Sequence, residues 1–157
     1  MARLKLDIDI QVEEAAWKRK WRGLNADIDA LVGVARRHLA FPAGLRAAEM
    51  SVVLACDRKL IALNFQFRGM KKPTNVLSFP DPDAPFGGMA LGFETVERES
   101  IAQKKSFVNH SKHMILHGFL HLLGHDHVTS RQARLMERLE IAILSDLGIS
   151  NPYEFKD

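Results

Sequence analysis

The sequence predicts an α+β fold, a single layered domain in which a small mixed sheet packs against helices, with a metal site at the end of a histidine-rich helix. Short segments with strand patterns and longer segments with helical spacing are mixed along the chain, and the helices are concentrated late. No repeat, low-complexity segment or linker divides them. The length of 157 residues suits one domain, which we expect to span residues 1–157.

The first three elements are predicted from periodicity and composition. Residues 3–12 alternate apolar and polar side chains, which predicts a strand with one buried face. Residues 25–41 place apolar side chains at helical spacing and are followed by Pro42, so they predict a helix that ends there. Residues 49–56 have the length and β-branched content of a strand. Asp57 is expected to cap a helix that follows it.

Two short strands are expected in the middle of the chain. Residues 75–80 predict a strand that ends at Pro80, and residues 89–96 predict another. Between them, residues 81–88 are rich in proline, glycine and aspartate, which is typical of a loop.

Two helices are predicted after these strands. The first runs from about residue 101 to 123 and ends near Gly124. The second begins near Thr129 or Ser130 and ends at Leu147–Gly148.

Six of the seven histidines lie between residues 110 and 127, and three of them have metal-site spacing. His117 and His121 are one helical turn apart, so their side chains point the same way. Gly124 permits a sharp turn that can return His127 to the same place. Three histidine ligands leave one tetrahedral position for water, as in a catalytic zinc site, although imidazoles also accept other divalent metals. On a helix, His110 and His113 lie in one stripe with His117 and His121. They either line the approach to the metal or lie at the surface.

Position 118 distinguishes this pattern from that of a zinc protease. An H-E-x-x-H protease carries its general base directly after the first histidine, where this chain has Gly118. Attack on a phosphodiester instead builds negative charge on nonbridging oxygens, which cations stabilise. Arg68, Lys71 and Lys72 form a basic cluster that could serve this purpose.

Two blocks of the sequence resemble the YbeY family of bacterial endoribonucleases. HGFLHLLGHDH, residues 117–127, is similar to that family's H-G-x-L-H-L-x-G-x-D-H signature. NFQFRGMKKPTNVLSFP, residues 64–80, is similar to its N-x-x-[FY]-R…K-P-T-[DN]-V-L-S-F-P block. The likeness extends through Met136 and Glu140, and covers residues 49–149.

The resemblance implies a metal-dependent endoribonuclease that cleaves single-stranded RNA, matures the 3′ end of 16S rRNA and acts in ribosome quality control. It implies an α+β fold and one zinc-type ion on His117, His121 and His127, and it carries the family's important arginine over to Arg68. The partners would be rRNA, the small ribosomal subunit and its assembly factors. No run of residues is apolar enough to span a bilayer and no signal peptide is evident, so we expect a cytoplasmic protein with no membrane partner.

One departure from the family concerns a predicted strand. The family's L-G-D-I is replaced by Leu91-Gly92-Phe93-Glu94, which displaces an acidic residue by one position. On a strand, such a displacement would move the carboxylate to the opposite face.

Two other functions remain open at this point. The protein could be a ribosome-assembly binding module whose metal chiefly holds the fold, without catalysis of its own. It could also be a metalloprotease-like hydrolase, against which Gly118 argues.

Several other residues carry weaker expectations. Trp17 and Trp21 could stack on bases, but such a segment more often packs on its own domain. One of Phe65 and Phe67 is expected in the core. Asp126 could hold a ligand imidazole or cap the next helix.

Overall fold

Four strands form one mixed sheet in the computed structural model, which describes residues 4–81 and 86–154. They are β1 (Lys5–Val12), β2 (Ala47–Ala55), β3 (Val76–Pro80) and β4 (Phe86–Gly92). The order across the sheet is β1-β2-β4-β3; β1, β2 and β4 are parallel, and β3 is antiparallel to β4. The predicted α+β class with a small mixed sheet is confirmed.

The sheet packs against helices, and one of them is central. The helices are α1 (Ala16–Lys20), α2 (Leu24–Ala35), α3 (Asp57–Arg68), α4 (Phe93–Ala102), α5 (Phe107–Leu122) and α6 (Ser130–Asp146). Helix α5 contacts β3, β4, α2, α4 and α6, and most of its residues are buried. Within the described residues, no helix has both the length and the apolar character needed to cross a membrane.

The N-terminal strand is confirmed, and the tryptophans after it belong to the core. Strand β1 alternates exposed and half-buried residues, as its period-two pattern predicts. Trp17 and Trp21 are at most 1% exposed. The indole N–H of Trp17 donates to the carbonyl of Ala55, and that of Trp21 donates to Asp27, both at 2.8 Å. Neither ring is therefore available to stack on a base.

The prediction of a strand over residues 89–96 is wrong after Gly92, because helix α4 begins at Phe93. The N-termini of α3 and α4 lie close together and cap each other. A Glu94 carboxylate oxygen accepts from the backbone N–H of Asp57 at 2.6 Å, and Asp57 accepts from the backbone N–H and the hydroxyl of Thr95 at 3.0 and 2.8 Å. Both carboxylates thereby satisfy N–H groups that lack partners in the first helical turn. The expectation that Glu94 lies on the opposite face of a strand is therefore wrong, because Glu94 lies in the first turn of α4 and caps α3.

The long helix predicted from residue 101 is interrupted. Helix α4 ends at Ala102, Lys104 adopts a left-handed φ of +56°, and α5 begins at Phe107. The Ser106 hydroxyl caps α5 by accepting from the N–H of Asn109 at 3.0 Å. Residues 103–106 contain neither glycine nor proline, so the sequence has no local signal for the break and the pattern alone extended the helix.

The last helix and the loop before β4 complete the comparison. Helix α6 begins where predicted, with a capping box between Thr129 and Gln132. Residues 82–85 of the loop expected over residues 81–88 lie outside the described residues, and the prediction is wrong for residues 86–88, because β4 already begins at Phe86.

Candidate metal centre

Helix α5 and the turn after it bring three histidines together. His117 and His121 lie one turn apart near the end of α5, and their ring centroids are 4.6 Å apart. The His127 centroid is 5.5 Å from that of His117 and 5.1 Å from that of His121. One ring nitrogen from each lies within 4.8 Å of the others. This group could hold a metal ion.

The turn that returns His127 depends on one glycine. Gly124 has a φ of +93°, a conformation that side chains disfavour. The N–H of Gly124 donates to the carbonyl of His121, and the N–H of His125 donates to that of Leu120, both at 3.0 Å. These bonds satisfy carbonyls at the end of α5 and reverse the chain toward the other two histidines.

A buried carboxylate on α6 holds the first of these imidazoles. Glu140 is 0% exposed, and its Oε1 accepts from Nδ1 of His117 at 2.8 Å. It also accepts from His113 at 3.3 Å and from the hydroxyl of Tyr153. Because a carboxylate only accepts, Nδ1 of His117 carries a proton, so in the neutral imidazole the lone pair is on Nε2. Metal-binding histidines characteristically have such a partner.

The titration behaviour of this cluster follows from burial and hydrogen bonding. Burial alone would raise the pKa of Glu140, but hydrogen bonds from His113, His117 and Tyr153 outweigh it and hold the pKa at about 2. Burial, with the neighbouring Glu140 charge, raises the pKa of Tyr153, whose hydroxyl therefore stays protonated and donates. Glu140 is thus a negative charge behind His117 at neutral pH.

The two helical histidines are arranged as a pair of ligands would be. Nε2 of His121 is 3.1 Å from Nε2 of His117. Two nitrogens that share one zinc at 2.0–2.1 Å in tetrahedral geometry are about 3.3 Å apart. Burial, followed by the neighbouring His117 and His127, lowers the pKa of His121 and favours its neutral form. Neutral imidazole is the form that binds metals, so the donor set fits a divalent ion of the zinc type.

His110 and His113 are buried, so the expectation that they could lie at the surface is wrong. Nε2 of His110 donates to Glu99 at 2.9 Å, and the amide of Asn75 donates to the same carboxylate at 3.0 Å. Burial would raise the pKa of Glu99, but these two hydrogen bonds outweigh it and lower the pKa. The histidines of this stripe therefore form hydrogen bonds with two carboxylates, the half-buried Glu99 and the fully buried Glu140.

Packing against the sheet explains the glycine after the first histidine. A Cβ at position 118 would lie 2.9 Å from Sδ of Met89 and 3.1 Å from a methyl group of Val76. The carbonyl of Gly118 also accepts from the hydroxyl of Ser78 at 3.1 Å. Position 118 thus faces β3 and β4 at close range, where a glutamate of the protease type would meet the sheet.

A groove of about 970 Å³ joins the histidines to Arg68. All three histidines of the group line it, and strand β3 forms one wall. Arg68 is exposed at the end of α3, before Gly69, which ends the helix with a φ of +69°. The buried Asn64 donates to the carbonyl of Lys72 at 3.0 Å, so the turn that follows Arg68 is fixed to the same helix.

Other predicted residues have different positions. Lys71 and Lys72 are exposed beside Arg68. Asp126 accepts from the backbone N–H of His127 at 2.7 Å, but its carboxylate is 4.0 Å from that imidazole and Thr129 caps α6. Asp126 therefore shapes the turn, and neither role expected for it is found.

Glu140 has a role in the site that local patterns did not predict, although the chain contains a signal for it. Met136, Glu140, Ile143 and Leu144 are the buried residues of α6, at spacings of four, three and one. A glutamate within an apolar stripe requires a buried partner, because an unpaired charge there would be costly. The histidine stripe on α5 was the available partner.

Comparisons with known proteins agree with this arrangement. A family model described as endoribonuclease YbeY matches residues 9–148. A protein named endoribonuclease YbeY from Chelativorans sp. (strain BNC1) is 47% identical over 137 residues, which cover 80% of this chain and 84% of that protein. The protein of that name from Rhizobium johnstonii is 39% identical over 165 residues, covering 98% and 96% of the two chains. The solution structure of TM1509 from Thermotoga maritima shares the fold, with a TM-score of 0.57, 20% identity, and coverage of 94% of this chain and 99% of its own.

Proposed function

The chain belongs to the family of the endoribonuclease YbeY, and we propose that it is a metal-dependent endoribonuclease that cleaves single-stranded RNA. One observation carries the proposal: the three-histidine group and an exposed arginine line the same groove. The relatives are named as endoribonucleases, which makes RNA the expected substrate, and the groove contains a possible metal site and an arginine that suit a phosphodiester.

In this proposal His117, His121 and His127 hold one ion, and zinc with one water is the expected occupant. Support comes from the convergence of the three imidazoles and from the position of the lone pair on His117. A divalent ion held there would lower the pKa of a coordinated water and would polarise a phosphate oxygen. Glu140 keeps His117 oriented and in the required tautomer.

Arg68 acts on the phosphate. Its guanidinium is always charged and offers donors in a planar fork that matches two phosphate oxygens. We assign it the stabilisation of the negative charge that develops on the nonbridging oxygens. Lys71 and Lys72, exposed beside it, attract the RNA backbone.

The biological setting belongs to the same proposal and rests on family membership. The expected substrate is the 3′ end of 16S rRNA, with a further part in ribosome quality control. The expected partners are the small ribosomal subunit and its assembly factors, and the expected location is the cytoplasm.

A cleavage assay on single-stranded RNA tests the proposal. Zinc-loaded wild type should cut, while Arg68→Ala and His117→Ala should be strongly impaired. Arg58→Ala is the matched control, because Arg58 is an exposed arginine on the same helix and does not line the groove. A chelator should abolish cleavage and added zinc should restore it. Equal cutting by all four preparations would identify a contaminating nuclease and defeat the proposal.

A metal that chiefly holds the fold is the second candidate. The observation in its favour is that His127 is exposed on the turn between α5 and α6, so a bound ion would tie that turn to α5. On this account His121→Ala lowers the melting temperature sharply, and folded variants that do not cut RNA still support ribosome maturation. If Arg68→Ala is folded, does not cut and fails to support maturation, this candidate is excluded.

A further inference from the structure

An exposed aromatic ring lies directly beside Arg68. The side chain of Phe67 is 59% exposed, and Phe65, two residues earlier, is 51% exposed. The expectation that one of them enters the core is therefore wrong.

The two phenylalanines differ in their surroundings. Phe67 lines the groove that contains Arg68 and the three histidines, whereas Phe65 does not. The ring of Phe65 is covered instead by the ammonium of Lys71, 4.9 Å from its centroid. Phe67 is thus an aromatic surface within the groove, and Phe65 is a matched residue outside it.

The ring of Phe79 packs against that of Phe67. The centroids of Phe67 and Phe79 are 4.9 Å apart, with the planes inclined by 59°. Phe79 is half-buried on β3, also lines the groove, and packs against the small core cluster that includes Leu60 and Leu77. The pair is therefore anchored to the sheet, while much of Phe67 stays open to the groove.

We propose that Phe67, supported by Phe79, is a stacking subsite for one RNA base next to the phosphate held by Arg68. Bases of single-stranded RNA are free to stack on aromatic side chains, and each such contact contributes about 1–3 kcal/mol. Arg68, the next residue after Phe67, lines the same groove and carries a positive charge, so the surroundings of the subsite complement an RNA backbone. The inference rests on the proposed function and adds to it the position of a flanking nucleotide.

Binding to a short oligouridylate whose bridging 3′ oxygens are replaced by methylene groups, which keeps the backbone charge but cannot be hydrolysed, tests the subsite with zinc-loaded protein. Phe67→Ala should bind about tenfold more weakly. Phe67→Trp should retain affinity, and Phe67→Leu, which keeps an apolar side chain without a ring face, should not. Phe65→Ala should bind as wild type does. Equal losses for Phe65→Ala and Phe67→Ala, or no loss for Phe67→Ala, would overturn the subsite.

A scan of abasic oligonucleotides adds a second, independent criterion. An abasic residue at one position should weaken binding by wild type but not by Phe67→Ala, because the base and the ring are each other's partner. If no position shows this coupling, the subsite is wrong even where Phe67→Ala binds weakly, and a protein-docking role for the ring becomes the better account. Wild type that cleaves RNA while the coupling is absent refutes the subsite alone. Wild type that neither binds nor cleaves refutes the proposed function.

Discussion

Glu140 on helix α6 accepts a hydrogen bond of 2.8 Å from Nδ1 of His117 on helix α5. The carboxylate is fully buried and also accepts from His113 and Tyr153. This one group thereby connects the last helix and the C-terminal segment to the proposed metal centre. It fixes which nitrogen of His117 faces the other two histidines.

Removal of this carboxylate should weaken metal binding. Glu140→Ala is expected to lower zinc affinity about 10- to 100-fold, since partners of this kind orient the imidazole and raise its basicity. Glu140→Gln should lose less, because its amide oxygen still accepts from His117. Competition with a chromophoric zinc chelator measures both, and Glu137→Gln, exposed on the same helix, is the control. Wild-type affinity in a folded Glu140→Ala variant would contradict this role.

Gly118 should resist enlargement. Gly118→Ala gains about 0.5–1 kcal/mol of helix propensity. It should lose more, about 1–3 kcal/mol, to overpacking against Met89 and Val76. Gly33→Ala is the matched control, because a Cβ on that helical glycine meets no atom within 4 Å. Urea unfolding should give a lower free energy of unfolding for Gly118→Ala than for wild type, and an equal or higher one for Gly33→Ala. Equal free energies of unfolding for the two variants would contradict this prediction.

The mutual caps of α3 and α4 should be coupled in stability. Asp57→Ala and Glu94→Ala should each lower the free energy of unfolding by about 0.5–2 kcal/mol, the usual cost of losing a capping side chain. Since each residue lies in the first turn of one helix and its side chain caps the other, the two caps are in contact, and the double variant should lose less than the two single losses combined. Thermal or urea unfolding of the four proteins checks this, and strict additivity would show that the two caps act independently.

As the pH falls below about 6.5, the stability of the protein without metal should decrease, in part because of His113. Burial lowers the pKa of His113, although the hydrogen bond from His113 to Glu140 opposes this effect; His110 and Lys105 add to the lowering. The folded state therefore leaves His113 neutral at a pH at which the unfolded chain protonates it. One such group changes the free energy of unfolding by at most about 1.4 kcal/mol per pH unit, in the direction of lower stability at lower pH.

A comparison with His113→Gln isolates this contribution. Urea unfolding between pH 7.5 and 5.5, about one unit either side of the ordinary histidine pKa, should give a shallower slope for the variant, with a chelator present for both proteins. The hydroxyl of Tyr153 also contacts His113 and should stay protonated throughout this range. Identical slopes for the two proteins would show that His113 is not the source of the dependence.

Local patterns predicted the strands β1 to β3, helix α6, most of helix α2 and the three converging histidines, because periodicity, caps and turn residues act over a few positions. The helix expected to run to residue 41 ends at Ala35 and is followed by a short 3₁₀ helix at Arg36–His38. The other errors involve long-range contacts. Glu94 accepts from the N–H of Asp57, 37 residues earlier in the chain, and so caps α3. Glu94 itself lies in the first turn of α4, where a strand was predicted. Glu140 meets His117 only because α5 and α6 pack together. The exposure of Phe67 depends on how α3 lies on the sheet, which no local pattern contains.

The most direct test of the account is a crystal structure of the zinc-loaded protein with a short, cleavage-resistant single-stranded RNA. The account predicts one ion on His117, His121 and His127, and a phosphate of the RNA between that ion and the guanidinium of Arg68. An ion elsewhere, or RNA bound on another face with the groove empty, would contradict it.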